Sequence, residues 1–217
     1  MITRMGAAPR LPGMSIAQFQ EHWRTSHADA AGAIPGVRRY VQNHAVLVAG
    51  AMVLPYPGFD ACSELDFDSV EAMDAGFASP TYLREVASDE KAFVDKDRFS
   101  LVVAEREILI DPPSHGVKLV VYYRTHPTSD THRLLATLRT SHATQVAVSG
   151  ATGYELLDPI AQAHTPDRYP AAADAVVITW WASVEDALDF ERGEAQVALA
   201  GIALGAARLI TRPIVVV

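Results

Sequence analysis

The residue best suited to chemistry in this sequence is His27. It follows Trp23 by four positions on the apolar stripe of a predicted helix, and Tyr40 lies in the strand predicted after that helix. Histidine changes its charge near neutral pH, so beside a cavity it can accept or release a proton. We therefore interpret His27 as a general acid or base, with Tyr40 as a catalytic neighbour. The alternative is a core histidine without a chemical role.

The strand predicted at 59–67 supplies the next candidates. Asp60, Cys62 and Glu64 share one of its faces because side chains alternate along a strand. A carboxylate facing a closed cavity loses its hydration, which raises its pKa and suits it to acid–base work. We predict Glu64 as a catalytic partner of His27, and Asp60 and Cys62 as substrate contacts. The alternatives are ordinary hydrogen-bonded carboxylates and a small buried cysteine.

Metal and cofactor sites are not indicated. His22 and His27 are five positions apart, a spacing that does not share an α-helical face, so we expect His22 to be exposed. Cys62 is the single cysteine, which excludes a cysteine-based zinc site and an intrachain disulfide and fits a reducing compartment. The sequence has no nucleotide-binding glycine motif and no hydrolase or zinc-protease motif. We expect neither a metal nor a cofactor.

A repeat indicates how these residues are positioned. The pentapeptide RTSHA occupies residues 24–28 and returns at 139–143, 115 residues later in a chain of 217. Further matches keep nearly the same register, among them Tyr40 with Tyr154 and the tripeptide SVE at 69–71 and 183–185. The sequence therefore predicts two copies of one module, fused into a pseudo-dimer with a shared core.

The elements of both copies follow one order. In residues 1–112 we predict strands and helices at 1–8, 15–31, 37–48, 59–67, 68–93 and 99–110. Ser15 with Gln18, and Asp68 with Glu71, form capping-box patterns that predict where the two helical segments begin. After a linker at 111–116, the order returns at 118–124, 129–148, 153–158, 173–181, from 184, and 210–217. This is the ferredoxin-like order β-α-β-β-α-β. The predicted fold class is α+β, with halves at 1–112 and 113–217 pairing sheet to sheet as a single-chain dimeric α+β barrel.

Three segments of the first half resemble a known family. The heptapeptide HWRTSHA at 22–28, IPGVRRYVQNH at 34–44 and FDACSELDFDS at 59–69 together are similar to the EthD family. The resemblance covers nearly all of residues 1–112 and is weaker in the second half. It implies the dimeric α+β-barrel fold. Members and relatives include dehydratases and cyclases of polyketide or pigment pathways and a muconolactone isomerase, in which a His and a Tyr at this spacing line the pocket.

Polar candidates concentrate in the first half. At matching positions the second half carries apolar or small residues: Leu138 for Trp23, Gly153 for Arg39, Leu157 for Asn43, Ile178 for Glu64 and Trp180 for Asp66. We predict that the first half carries the chemistry and that the second half is a structural lid. The predicted substrate contacts are Trp23, Arg39, Asn43, His44, Asp60 and Cys62. The alternative is drift after duplication, with no site in either half.

The predicted function is cofactor-independent chemistry on a small hydrophobic, aromatic or polyketide-like molecule. Dehydration, cyclisation, isomerisation and decarboxylation all suit His27 as acid or base. One rival is a haem-dependent or cofactor-free oxygen enzyme, and another is a non-catalytic small-molecule carrier or stress protein.

Bulk properties exclude other classes. A net charge of −8 argues against nucleic-acid binding, which needs clustered Lys and Arg. The N-terminal residues lack a signal-peptide pattern. The longest small and apolar run, 195–207, is too short to span a membrane, and we predict a buried helix there. We expect a cytoplasmic protein, with a homo-oligomer as a further possibility.

Overall fold

A closed eight-stranded barrel forms the centre of the molecule. The computed structural model describes residues 1–164, 170–193 and 197–217. All barrel strands pair antiparallel, in the order β1-β5-β2-β10-β7-β9-β8-β6. Closure leaves none of these strands with an unpaired edge. The fold is therefore a mixed α+β barrel.

Most strand bounds lie close to those predicted from the sequence, but β10 begins seven residues before the predicted position 210. The barrel strands are β1 (Ile2–Ala8), β2 (Arg39–Ala45), β5 (Ala61–Phe67), β6 (Ser100–Ile110), β7 (Val117–Thr125), β8 (Gly153–Pro159), β9 (Ala175–Trp181) and β10 (Ala203–Val215). A small hairpin, β3 (Leu47–Val48) and β4 (Ala51–Met52), lies apart from the barrel sheet.

Strand order divides the barrel into two continuous arcs. Residues 1–112 contribute β6-β1-β5-β2, and residues 113–217 contribute β10-β7-β9-β8. The arcs meet where β2 pairs with β10 and where β6 pairs with β8. Within each arc the fourth strand in chain order lies beside the first. The two arcs therefore have the same internal order.

Helices cover the outside of the barrel, and three of them contain a π-helical turn. Helix α1 runs through Ile16–His22, the π turn Trp23–His27 and Ala28–Gly32; α2 is Val70–Phe77; α3 comprises the π turn Tyr82–Val86 and Ala87–Phe93; α4 runs through Thr131–Thr137, the π turn Leu138–His142 and Ala143–Val148; α5 is Val184–Arg192. A 3₁₀ turn lies at Ala161–Ala163. None of the described helices is long and apolar enough to cross a membrane.

Alternation along each strand separates two kinds of core. Inside the barrel, Met5 and Cys62 from the first half pack with Tyr122 and Ile178 from the second. Outside it, Leu65 and other residues of the opposite strand face pack beneath the helices. Burial of both faces explains why the barrel strands carry many apolar residues on each side.

Local sequence signals were confirmed at some helix ends and wrong at others. Ser15 and Gln18 form the predicted capping box. Asp68 does not cap α2; Ser69 does, its hydroxyl accepting from the Ala72 N–H at 3.2 Å. In the helix predicted at 195–207, residues 195–196 lie outside the described part, residues 197–202 form turns and 203–207 begin β10. That helix prediction is wrong for the described residues because the segment closes the barrel instead.

Candidate functional site

A small cavity lies between the first-half helices and the outer face of the sheet. Its walls come from α1, α3, β1, β2 and β5 and include Trp23, His27, Tyr40, Leu65, Phe93 and Phe99. Its volume is about 30 Å³, which is room for roughly one water molecule. His27 and Tyr40, predicted as catalytic residues, and Trp23, predicted as a substrate contact, all line this space.

The His27 ring is held by a carboxylate that the sequence did not suggest. Its Nδ1 lies 2.9 Å from Oδ2 of Asp89, on α3, while Nε2 of His22 lies 2.8 Å from the other oxygen of the same carboxylate. In a π-helical turn the backbone bonds join residues five apart, so side chains at that spacing become neighbours. The prediction that His22 points to solvent, away from His27, is therefore wrong.

Burial keeps His27 uncharged. Its pKa is lowered from the ordinary 6.5, chiefly by loss of hydration, although hydrogen bonding to Asp89 opposes this. A neutral ring bonded to Asp89 through Nδ1–H has Nε2 as its lone-pair nitrogen. Among the described residues no hydrogen bond to Nε2 occurs, so this nitrogen remains available to a molecule in the cavity.

Tyr40 is fixed by two donors. Its hydroxyl oxygen accepts from Trp23 Nε1 at 3.0 Å and from Gln42 Nε2 at 3.0 Å. Burial raises the pKa of Tyr40, so the hydroxyl keeps its proton. None of the described acceptors takes that proton. The tyrosine can therefore donate to a molecule in the cavity.

An arginine adds positive charge to the same space. The Arg4 guanidinium lies 4.3 Å from the Phe77 ring centroid and 5.5 Å from that of Phe99. Cation–π contacts of this kind stabilise a partly buried charge. Gly6 lets the Phe99 ring approach β1, because a Cβ there would lie 2.7 Å from a Phe99 ring atom. Arg4 and Asp89 are the site residues that sequence reasoning missed.

Glu64 lies on the opposite face of the sheet, inside the barrel, and does not reach His27. Its carboxylate accepts from Lys118 Nζ at 2.5 Å, Arg106 at 2.7 Å and Arg39 at 3.1 Å. Burial alone would raise its pKa, but the three cations together hold it well below the ordinary value. The expectation of a raised pKa is therefore wrong, and a carboxylate so held is a poor proton donor.

The other predicted contacts also lie away from the His27 cavity. Asn43 donates to Glu64 at 2.8 Å inside the barrel, where Arg39 is the most exposed member of the ion network. Cys62 is buried there, and loss of hydration raises its thiol pKa to about 12. Asp60 accepts from the Arg10 N–H at 2.8 Å and pairs with that guanidinium. These four residues stabilise the barrel and its loops.

His44 lines a different space. It faces an open groove of about 720 Å³ between α1, β10 and α5, together with Arg24 and Arg212. Burial, followed by the charge of Arg24, lowers its pKa to about 4. Its Nε2 lies 3.0 Å from Gln42 Oε1, so it reaches Tyr40 only through that amide.

The matching histidine of the second half, His142, is buried among the rings of Tyr123, Tyr154 and Phe190. His142 Nδ1 lies 2.9 Å from the hydroxyl of Tyr154, which in turn donates to the Leu138 carbonyl at 3.0 Å. Burial lowers the His142 pKa to about 4. Histidine and tyrosine therefore bond to each other here, and His142 Nε2 is buried without a hydrogen-bond partner, whereas in the first half each of the two residues has a separate partner.

Comparison with known proteins supports the family resemblance for the first half. The model of the EthD domain matches residues 11–97, which hold α1, β2, β5 and the carboxylate of Asp89. This segment of the chain therefore resembles an EthD domain. This domain contributes most of the cavity, including both His27 and Tyr40. No curated protein matches the chain by sequence.

Solved structures share the fold over the whole chain. A candidate monooxygenase of Fusobacterium nucleatum subsp. nucleatum superposes with a TM-score of 0.61 over 99% of this chain and 93% of its own, at 7% identity. A candidate monooxygenase of Lactobacillus acidophilus superposes with a TM-score of 0.55 over 100% of this chain and 94% of its own, at 12% identity. A mutant chlorite dismutase from Candidatus Nitrospira defluvii superposes with a TM-score of 0.53 over 98% of this chain and 91% of its own, at 9% identity. At these identities the likeness is one of fold alone.

Proposed function

We propose that this protein is a cofactor-independent enzyme of the lyase or isomerase type, acting on small hydrophobic carbonyl compounds of aromatic or polyketide-like structure. The observation that carries the proposal is a pair of groups in one cavity. Nε2 of a neutral His27 can accept a proton, and the hydroxyl of Tyr40 can donate one. The aromatic walls favour an aromatic substrate, and because the cavity holds only about 30 Å³, substrate binding requires these side chains to move apart.

The two groups suit proton transfer beside a carbonyl. His27 Nε2 removes a proton from the adjacent carbon, and the C–H electron pair becomes the C=C bond of an enolate. Tyr40 donates a hydrogen bond to the oxygen, which gains negative charge. Asp89 holds Nδ1–H and stabilises the imidazolium, as in acid–base pairs generally.

The fate of the proton decides the reaction. Returned by His27 to a different carbon, it completes an isomerisation. Given to a departing hydroxyl group, it forms water and completes a dehydration. When the enolate carbon instead attacks a second carbonyl of the same molecule, a ring forms and His27 protonates the new alkoxide. All three outcomes begin with the same proton abstraction, so one assay can detect them.

We also assign the two arcs of the barrel to two ferredoxin-like halves, 1–112 and 113–217, descended from a tandem repeat. Each arc places its fourth strand beside its first and its third between first and second. The RTSHA peptides lie at corresponding places, each spanning the π turn of its helix. The second half serves as the structural cover that completes the barrel.

Deuterium uptake tests the proposed chemistry without knowledge of the full reaction. Enolisable aryl ketones, unsaturated lactones and aromatic polyketones would be incubated with the protein in D₂O and analysed by mass spectrometry. We expect enzyme-dependent exchange with at least one compound. Binding without exchange, unaffected by His27→Ala, would instead support a carrier.

Matched substitutions in the two halves provide the control. His27→Ala should reduce the exchange rate about 100- to 10,000-fold, whereas His142→Ala should leave it nearly unchanged and lower the stability. Tyr40→Phe should reduce the rate less than His27→Ala, because it keeps the ring and removes only the hydroxyl. Equal losses from both histidine variants, at unchanged melting temperature, would refute the assignment of the site to the first half.

The second candidate is a haem-dependent or cofactor-free oxygen enzyme, because two fold neighbours are candidate monooxygenases and another is a chlorite dismutase. A resident macrocycle needs a standing cleft of several hundred Å³. The space beside His27 holds about 30 Å³ and its walls are largely aromatic side chains, so this space does not fit a haem. A Soret band in the purified protein would overturn this conclusion. The cytoplasmic location and the homo-oligomer stay predictions.

A further inference from the structure

The two halves hold the same histidine–tyrosine pair in different hydrogen-bonding states. In the second half the Tyr154 hydroxyl donates to the Leu138 carbonyl at 3.0 Å, so its proton is used within the protein. In the first half the matching carbonyl belongs to Trp23. That carbonyl is instead occupied by Gln42, whose Nε2 donates to it at 2.8 Å.

Gln42 accounts for the difference. From its position two residues after Tyr40, its amide nitrogen bonds both the Trp23 carbonyl and the Tyr40 oxygen. The second half has Leu156 at the corresponding position, which has no donor to offer. With the carbonyl occupied and the tyrosine oxygen serving as an acceptor, the phenolic proton of Tyr40 has no internal acceptor among the described residues.

The Trp23 carbonyl fixes the direction of that amide, because a carbonyl oxygen can only accept. With the amide so directed, Gln42 Oε1 lies 3.0 Å from His44 Nε2, and His44 donates there. Reversal of the Gln42 amide would leave the Trp23 carbonyl without this bond. The sequence of donors therefore runs from His44 to Gln42 to Tyr40 and ends in the cavity.

We infer that Gln42 is a positioning residue that keeps the Tyr40 hydroxyl proton directed into the cavity, with the Trp23 carbonyl setting the orientation of its amide. The use of that proton as a donor to a substrate oxygen rests on the proposed function. The direction of the hydroxyl does not, because it follows from the contacts of Gln42 alone.

Two substitutions test the inference without a substrate. Gln42→Leu reproduces the second half, and the Tyr40 oxygen should move to donate to the Trp23 carbonyl at about the 3.0 Å seen between Tyr154 and Leu138. Gln42→Glu keeps the size of the side chain but supplies an acceptor, so Tyr40 should donate to the new carboxylate. The second variant keeps the test open if the first does not fold.

The readouts are a neutron structure of the deuterated wild type, crystal structures of both variants, and the tyrosine ring doublet in Raman spectra. Subtracting the spectrum of a Tyr40→Phe variant isolates the signal of Tyr40. We expect a wild-type hydroxyl that points into the cavity and a doublet that changes to a donor pattern in both variants. A wild-type proton on an internal acceptor, or an unchanged doublet in the folded variants, would overturn the inference.

These outcomes stand apart from those for the proposed function. A redirected hydroxyl in the variants, together with no deuterium uptake by the wild type, refutes the enzyme proposal and leaves the role of Gln42 intact. Deuterium uptake that depends on His27 but survives Gln42→Leu with less than about a twofold loss refutes a catalytic use of the positioning. A loss of about tenfold or more, equal to that of Tyr40→Phe, supports both, since a hydrogen bond to a charged oxygen is worth about that factor.

Discussion

Removal of the Glu64 charge should destabilise the barrel more than removal of the lysine it binds. Lys118 has no exposed surface, and its Nζ lies 2.5 Å from Glu64 Oε1. In Glu64→Gln the ammonium keeps only the Trp180 ring, 4.6 Å away, and a neutral amide. Leaving a buried charge unpaired typically costs about 3–5 kcal/mol. We expect a loss of that size in the free energy of unfolding.

Replacement of Lys118 leaves Glu64 with most of its hydrogen-bond partners. In Lys118→Met the Glu64 carboxylate still bonds Arg106 at 2.7 Å, Arg39 at 3.1 Å and Asn43 at 2.8 Å. The expected cost is about 1–3 kcal/mol, the value of one charged hydrogen bond. The double variant should be more stable than Glu64→Gln alone, because it no longer buries a lone cation.

Urea denaturation at pH 7 measures all three variants, since guanidinium chloride would screen the charges. The pKa of Glu64 is depressed in the folded protein, so its contribution is present above the unfolded value near 4.5 and is lost as pH falls through the lower folded value. The difference in the free energy of unfolding between wild type and Glu64→Gln should therefore become smaller at acidic pH. If Glu64→Gln proves no less stable than Lys118→Met, the assigned network is wrong.

Three further predictions concern other contacts of the protein. Asp89→Asn should lower the His27 pKa further, because the hydrogen bond to Asp89 raises it. The exchange rate should fall by roughly 100-fold, and the pH below which exchange is lost should move down. If that pH does not change, Asp89 is not the hydrogen-bond partner of His27. His142 has the ordinary pKa of 6.5 in the unfolded chain and a pKa of about 4 in the folded protein, so the unfolded state takes up the proton first as the pH falls. The free energy of unfolding of the wild type should therefore fall by about 3 kcal/mol between these two pH values. Urea titrations at each pH should show a smaller loss for His142→Phe. Ser15→Ala should lower stability by about 1 kcal/mol, seen as a reduced urea midpoint with unchanged slope, because Gln18 N–H loses its cap.

The sequence by itself determined the elements and the strongest site residue. Alternation located most of the strands, capping patterns located the starts of helices, and the repeat predicted two similar halves. The apolar stripe through Trp23 placed His27 against the sheet beside Tyr40, because helical spacing is a local property of the chain. The EthD resemblance likewise rested on local motifs, and the match at residues 11–97 confirms it.

Only the tertiary structure decided which groups meet. The carboxylate that holds His27 is Asp89, from a helix more than 60 residues away in sequence, and no local pattern encodes that contact. Strand alternation correctly grouped Cys62 with Glu64, but it could not say which face turns toward the helices. Barrel closure turned that face inward, where cations from both halves surround Glu64. The π turn in α1 brought His22 to the same carboxylate, because one altered backbone hydrogen-bonding step changes which side chains are neighbours.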